Sequence, residues 1–532
     1  MQAWLATSLV RHFPASRARR RDRLTLRAAR SSTVSFQVAF RNDTEQVRRV
    51  ELAVKAPQPI AVQVRRVGYV PLHHFSTPRP ADDLDGVGHL PGLVPDPLFP
   101  ESACQAGAFE TNAFWLTVRV PVAAPPGRRP VTVTLTVDGQ PLPPLTATVV
   151  VHRGVLPPRR DFPVTQWFYA DALCDWYHTE LYHESFWPLL AAYLKDLAEH
   201  GVDTSHIPAF TPPTDGVKRP TQLVRVRRDG DRYLFDWTLV LRWLQTAQAQ
   251  GLKHFEWNHL FTQWGAQHAI RIYEGHGETK RLLWPPETPA TSPVYRAFLA
   301  QFLPEFHRFL CERGVLEQSF FHLSDEPHGD AHLANYRAAR QMLRELAPWM
   351  KVMDALSEIA FAREGLTDTP IPVLSSAPEF VREGVPAWTY FWSGPHGRYL
   401  NRLLDTPLPK IRMAGWLFWR LRAQGFLHWG YNYWYRSQTT ELINPYHVND
   451  AHDWPGWSPG DPFVVYPGEA GPVDSLRWEV WAESLEDYAL LQAVGVDPDN
   501  PMLAEIQDYA EFPRDARWME ARRRELLRRL PG

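Results

Sequence analysis

From about residue 162 onward, short apolar runs alternate with stretches of helical periodicity, and no other feature constrains the fold as strongly. The runs lie at 164–169, 202–207, 254–259, 319–323, 351–354, 371–374, 387–392 and 425–431. The intervening helices carry clear signals. Phe186, Leu189, Leu190, Tyr193, Leu194 and Leu197 form one apolar face, and Gly201 stops it. Asp236 is placed to cap the next helix, which ends at Gly251, and Ser292-Pro293 opens another that ends at Gly314. Eight such units predict a (β/α)8 barrel over 160–495, with its last helix at 476–493 and a charged helical tail over 496–532.

Residues 1–155 follow a different period. Val34, Phe36, Val38 and Phe40 alternate within 33–40. The run 131–137 alternates likewise, turns at Asp138-Gly139 and returns through 145–151, and 51–55 and 115–122 add further short runs. Period-2 segments punctuated by Pro and Gly predict an N-terminal antiparallel β-sandwich, joined to the barrel by a linker over 154–160. Its role is either to shape the site or to form a homodimer contact.

The chain has 532 residues and a formal net charge of -2. Nucleic-acid and acidic-membrane partners want a basic excess, and the one basic run, Arg17 to Arg23, is short, so neither partner is expected. Cys104, Cys174 and Cys311 are odd in number and far apart, which argues against a disulfide framework. No stretch reaches the roughly 20 apolar residues of a membrane span. The first 22 residues make a poor signal peptide, because Arg11 and His12 break the apolar run. The expectation is a soluble, cytoplasmic protein.

In a barrel, chemistry gathers at the C-terminal ends of the strands. The fourth run ends in His322-Leu323-Ser324-Asp325-Glu326-Pro327. An Asp-Glu pair alone is common and can be a solvated loop or a helix cap; at this position it becomes the candidate catalytic centre. The other run ends supply Trp167 and Tyr169, Glu256, Asn258 and His259, Tyr390 and Trp392, and His428, Trp429 and Asn432. Any one tryptophan reads equally well as core. Aromatic and polar residues converging from four strand ends describe a sugar pocket, because an indole face covers the apolar face of a pyranose.

Ordinary glycosidases flank the scissile bond with two carboxyl groups, about 5–5.5 Å apart for retention and about 6.5–9.5 Å apart for inversion. The seventh run, where a protein nucleophile is expected, ends in Tyr390-Phe391-Trp392-Ser393 without an acid. Asp325 and Glu326 are sequence neighbours with Cα atoms about 3.8 Å apart, so they approach a sugar from one side. That arrangement suits attack by the substrate's own 2-acetamido oxygen, with Glu326 as acid and then base, and Asp325 orienting the acetamido N–H. Glu256 is the competing nucleophile, or else a contact to a substrate hydroxyl; Asp354 is a lesser competitor. Two rivals stay open: a glycosidase for a non-acetamido sugar using Glu256, and a non-catalytic carbohydrate-binding protein.

Five stretches resemble the catalytic domain of glycoside hydrolase family 123 and the DUF4091 group around it. They are 322–327, the EWNHLF…WG stretch over 256–265, 425–434, Val465-Tyr466-Pro467-Gly468, and Ser484-Leu485-Glu486-Asp487-Tyr488. The resemblance implies an exo-acting β-N-acetylgalactosaminidase on an oligosaccharide or glycoconjugate, with Asp325 as acetamido stabiliser and Glu326 as acid/base. It also implies a tyrosine on the acetamido oxygen, here assigned to Tyr390. Glu486-Asp487 lies within a helix and is expected to cap it or to pair with Arg477. His328 and His332 have i, i+4 spacing but no HExxH around them, and His322 reads as a hydrogen-bonded core residue. The Asn42-Asp43-Thr44 sequon is of a kind that arises by chance. No cofactor and no metal are expected.

Overall fold

The computed structural model describes residues 1–76, 80, 83–214, 216, 218–275 and 280–532. Up to Val155 the chain forms two sheets. In the first, Gln2–Thr7, Ser32–Arg41, Thr111–Val120, Ala61–Leu72 and Gly92–Phe99 lie side by side, all antiparallel. In the second the order is Arg23–Arg30, Leu145–Val155, Gly127–Val137, Arg48–Lys55 and Ala103–Ala106. The expected face holds: Val34, Phe36, Val38 and Phe40 share a core with Leu24, Leu26, Val131, Val133 and Val149 of the opposite sheet. One pairing departs from an all-antiparallel arrangement, since Arg23–Arg30 runs parallel to Leu145–Val155. That same strand extends through Gly154 and Val155, so only 156–160 act as the connection.

The outer face of the first sheet is buried as well. It packs on the Leu476–Val494 helix, which explains the polar residues alternating with its core positions. The Ser35 amide donates to Glu483 at 3.2 Å, and the Trp115 indole donates to Glu479 at 3.2 Å. Arg65 pairs with Glu479 at 2.6 Å and also with Asp474. Arg477 is fully buried; its guanidinium meets Asp96 at 3.0 Å and donates to the carbonyls of Arg402, Gly460 and Phe463. The expected Arg477 partners, Glu486 and Asp487, lie elsewhere. Glu486 accepts the Thr33 amide, and Asp487 holds Arg412, Arg523 and the Trp416 indole.

Beyond the connection, eight short strands alternate with helices. They are Val164–Gln166, Thr204–Ile207, His254–Trp257, Ser319–Phe321, Met353–Ala355, Thr369–Ile371, Thr389–Tyr390 and Phe426–His428. Successive strands from the second onward are parallel neighbours. The second, third and fourth form one sheet, the fifth and sixth another, and the seventh and eighth a third in which the eighth also pairs with the first. Parallel bridges at Phe321–Val352 and Val373–Tyr390 link the fourth to the fifth and the sixth to the seventh. Each strand overlaps its expected run but is shorter, and Thr369–Ile371 meets its run at Ile371 alone.

The helix signals act as anticipated. Ser292 accepts the Tyr295 amide at the start of Pro293–Arg313, and Gly314 closes it in the left-handed conformation. Asp236 takes the Thr238 amide at 2.9 Å, one residue before the formal cap. The tail is less helical than expected. Only Ala516–Arg529 and a short 3-10 turn at Pro501–Leu503 are helical beyond Val494, and Arg523 of that last helix returns to bond Asp487 and the Arg27 carbonyl. Asn42 is fully buried and its amide donates to three carbonyls, so the sequon is occupied by structure. The three cysteines are free. No described helix is long and apolar enough to cross a membrane.

Candidate active site

The segment after the third strand shadows the extension of the fourth. The Leu260 amide donates to the His322 carbonyl at 3.2 Å, Phe261 to Leu323 at 2.9 Å, and Trp264 to Asp325 at 2.8 Å. Ser324 Oγ donates to the Thr262 carbonyl and accepts the Ala266 amide. This zipper needs Gly265: its φ is +95°, and a Cβ there would sit 2.4 Å from the His332 ring. His332 is thereby used in packing, with its Nδ1 accepting the His328 amide at 3.2 Å.

The zipper presents Asp325 and Glu326 to a cleft of about 820 Å³, open to solvent. Trp167, Trp264, Trp392, Trp429 and Trp457 line it, together with Tyr390, Gln263, Gln438, Gly216, Ala355 and Leu427. Asp325 Oδ2 accepts from Gln263 Nε2 at 2.9 Å, and Glu326 Oε1 accepts from the Tyr390 hydroxyl at 2.6 Å. Glu326 holds a left-handed backbone, φ +43°, and its amide donates to the Ala355 carbonyl at 2.9 Å. A non-glycine residue in that region is strained and persists only when its surroundings fix it. Burial, and then the charge of Glu326, push the Tyr390 phenol well above its ordinary pKa, so it stays a donor. The tryptophans grade outward, from Trp167 at 3% exposed to Trp392 at 37% and Trp264 at 48%. The arrangement offers one paired acid and a bowl of indole faces.

Several expected contacts lie one layer deeper, a correction to their assignment as substrate ligands. Glu256 is fully buried; it accepts from Thr165 Oγ1, Trp167 Nε1 at 2.9 Å and His322 Nε2 at 2.7 Å. Burial works to raise its pKa, but the His322 bond and charge win and hold it low. Asn258 bonds the Phe210 amide and the His259 carbonyl, and Asn432 bonds both the amide and the carbonyl of Tyr169. Tyr169 itself lies against Tyr433 with the Lys218 ammonium over its ring. His428 accepts the Gly430 amide, and burial keeps it neutral. The end of the ladder does not decide which side chains reach the cleft: Tyr390, Ala355 and Leu427 lie within their strands and line it, whereas Asn258, His259 and Asn432 lie past theirs and are buried. Trp167, Tyr390, Trp392 and Trp429 do line it, with Asp325 and Glu326.

Gln263, Trp264 and Trp457 were not anticipated. The Trp264-Gly265 step lay inside a recognised stretch, but its contact with Asp325 is tertiary. Trp457 arrives from a loop 29 residues beyond the eighth strand and packs on Trp429 at 4.8 Å.

Two described clusters have metal-ligand composition, His259 with His322 and Asp354, and Asp196 with His200 and Asp474. In the first, the imidazoles are stacked 4.3 Å apart at 30°, so their in-plane lone pairs do not converge. In the second, the Arg65 guanidinium already contacts Asp474, and its charge opposes a second cation.

The family model described as the glycoside hydrolase 123 catalytic domain matches residues 167–494. Among solved structures, a family 123 glycoside hydrolase from Clostridium perfringens, whose study concerns glycolipid glycan hydrolysis, aligns with a TM-score of 0.74. Identity is 14%, over 99% of this chain and 97% of that one, a likeness of fold. A family 5 xyloglucanase from Bacteroides ovatus aligns at TM-score 0.32 and 11% identity over 87% and 98% of the two chains, too low to carry weight. Comparison with curated proteins finds no match.

Proposed function

The chain belongs to glycoside hydrolase family 123 and therefore acts as a glycosidase on glycans, and from that premise we propose a retaining, exo-acting β-N-acetylhexosaminidase that favours terminal GalNAc. In this reading the eight parallel strands form a (β/α)8 barrel over 160–495, behind a β-sandwich domain over 1–155 and ahead of a tail over 496–532. Asp325 and Glu326 stand at the end of the fourth strand. The carrying observation is that they are the only carboxylates among the described residues lining the cleft. Glu256 is locked to three donors. Asp354 is likewise buried on His322, Tyr336 and two amides. Neither is free to attack an anomeric carbon.

The nucleophile then comes from the substrate. The 2-acetamido oxygen bonds to C1 as the glycosidic oxygen departs with the proton of Glu326. Asp325, oriented by Gln263, accepts from the acetamido N–H as positive charge develops there. Water next attacks C1, gives its proton to Glu326 and reopens the acetamide, leaving the anomeric configuration unchanged. Tyr390 holds Glu326 in the free enzyme, and in this reading its hydroxyl turns to the acetamido oxygen when substrate binds. The tryptophans lining the cleft supply the sugar platform. The glycan of a glycolipid or another glycoconjugate suits an open, tryptophan-rimmed cleft.

The test is release of nitrophenol from β-glycosides of GalNAc, GlcNAc, galactose and glucose. The N-acetyl sugars should be cleaved, with a thiazoline mimic of the intermediate inhibiting. Cleavage of a plain hexoside but of neither N-acetyl sugar would overturn substrate assistance, and no turnover of any glycan would leave a binding protein.

A further inference from the structure

Beneath the cleft floor, His322 lies between two carboxylates. Its Nε2 is 2.7 Å from Glu256 Oε1 and its Nδ1 is 3.2 Å from Asp354 Oδ1, and all three side chains are fully buried. The two acids face different parts of the site. Glu256 receives the indole N–H of Trp167, a cleft wall, at 2.9 Å. Asp354 receives the amides of Leu323 at 3.0 Å and Ser324 at 3.3 Å, the two residues before Asp325, and the Tyr336 hydroxyl at 2.5 Å. The next carbonyl along, Ala355, takes the Glu326 amide.

We infer that Glu256, His322 and Asp354 are positioning residues, a buried ion triad that sets the sugar platform and the strained Asp325-Glu326 backbone in one fixed register. The inference rests on the glycosidase reading above. Two carboxylates acting on both ring nitrogens, against the opposing effect of burial, push His322 up to about 10, so it carries the bridging charge at neutral pH. The flanking imidazoles stay neutral: burial lowers His206 to about 4 and holds His259, stacked on His322, well below the usual value. One ring alone therefore holds a charge, and each of its N–H bonds is directed. Removing it leaves two buried carboxylates without their cation and frees both halves of the site. A shift of about 1 Å between reacting groups costs on the order of 100-fold in rate.

The experiment compares His322→Gln with the milder Tyr336→Phe, which keeps the triad but removes one donor to Asp354. For each folded variant, kcat, KM and the Ki of the thiazoline mimic are measured on whichever β-glycoside the wild type cleaves best. Expected is a 10- to 100-fold loss of kcat in His322→Gln and a smaller loss in Tyr336→Phe, with Ki rising in step and Tm recorded separately. In parallel, 15N-histidine NMR of the wild type at pH 8 should show two doubly protonated, slowly exchanging imidazoles, His322 and the distant His200 between Asp196 and Glu479, of which His322→Gln removes one. A variant that loses kcat while KM and Ki stay at wild-type values has lost only folded enzyme, which overturns the positioning role. So does wild-type kcat in both variants, or the absence at pH 8 of a charged imidazole that His322→Gln removes. Should the thiazoline fail to bind wild type, the acetamido mechanism falls; the kcat ranking and the NMR signal then decide the triad by themselves.

Discussion

Two acidic dipeptides in this chain have near-identical chemistry and opposite fates. Asp325-Glu326 sits past the end of a strand and meets neutral donors, Gln263 and Tyr390, at the wall of an open cleft. Glu486-Asp487 sits in the middle of the Leu476–Val494 helix, where Arg412 and Arg523 grip Asp487 and the Thr33 amide caps Glu486. Asp487, gripped by two guanidinium groups that outweigh its burial, is a structural ion held in one state. A carboxylate addressed by a phenol and an amide, with room in front of it, can exchange a proton. What separates the two is the company each pair keeps, set by the element that carries it.

The largest expected effect breaks the pairs apart functionally. Glu326→Gln should lower kcat on an N-acetyl glycoside by about 10²–10⁴-fold, with Tm within experimental scatter of wild type, read from nitrophenol release and calorimetry. The converse holds for the helix pair. Arg412→Leu leaves the buried Glu483 without its cation and Asp487 with Arg523 as its one remaining guanidinium, and should cost about 3–5 kcal/mol in urea unfolding, while kcat per folded molecule stays unchanged.

Asp461 tests the boundary between the two cases. It is buried behind the cleft wall, with Trp429 Nε1 at 3.1 Å and Ser393 Oγ at 2.9 Å as neutral donors. Burial raises it to about 7. An acid whose folded pKa is raised binds more protons when folded, so its contribution to stability is full below its ordinary pKa of 3.8 and is lost as pH climbs through about 7. Wild-type stability should therefore fall between the ordinary value of 3.8 and about 7, by about 1.4 kcal/mol per unit from a group of this kind. Asp461→Asn should flatten that slope in pH-dependent thermal melts. The smallest effect sharpens the cleft side: Trp392→Ala removes a rim platform and should reduce kcat/KM about two- to tenfold, from roughly 0.5–1.5 kcal/mol of aromatic contact.

Much of this was legible in the sequence. All eight strands fall where short apolar runs stand, because a run buried on both faces has no polar alternation to hide it. The two-sheet core followed from the period of Val34 to Phe40. The Asp325-Glu326 pair stood out once the strand order placed it. Glu256, Asn258, His259, His428 and Asn432 read as substrate contacts because sequence shows that a polar residue ends a run, but not which way its side chain turns. They lie on or just past the ladder and serve the interior. Gln263 and Trp457 come from loops whose approach depends on long-range bonds, such as Trp264 to Asp325, that no local pattern encodes.

The Leu476–Val494 helix has a consequence for how such an enzyme can be inherited or cut. A gene fragment starting after residue 155 would encode Arg477, Glu479, Glu483 and Glu486 without Asp96, Arg65, Ser8, Ser35 and Thr33, the groups that answer them. The catalytic half would emerge with a face of stranded charges where its partner belongs. It is no transferable cassette, and recombination that moves this activity into another protein has to carry both halves at once.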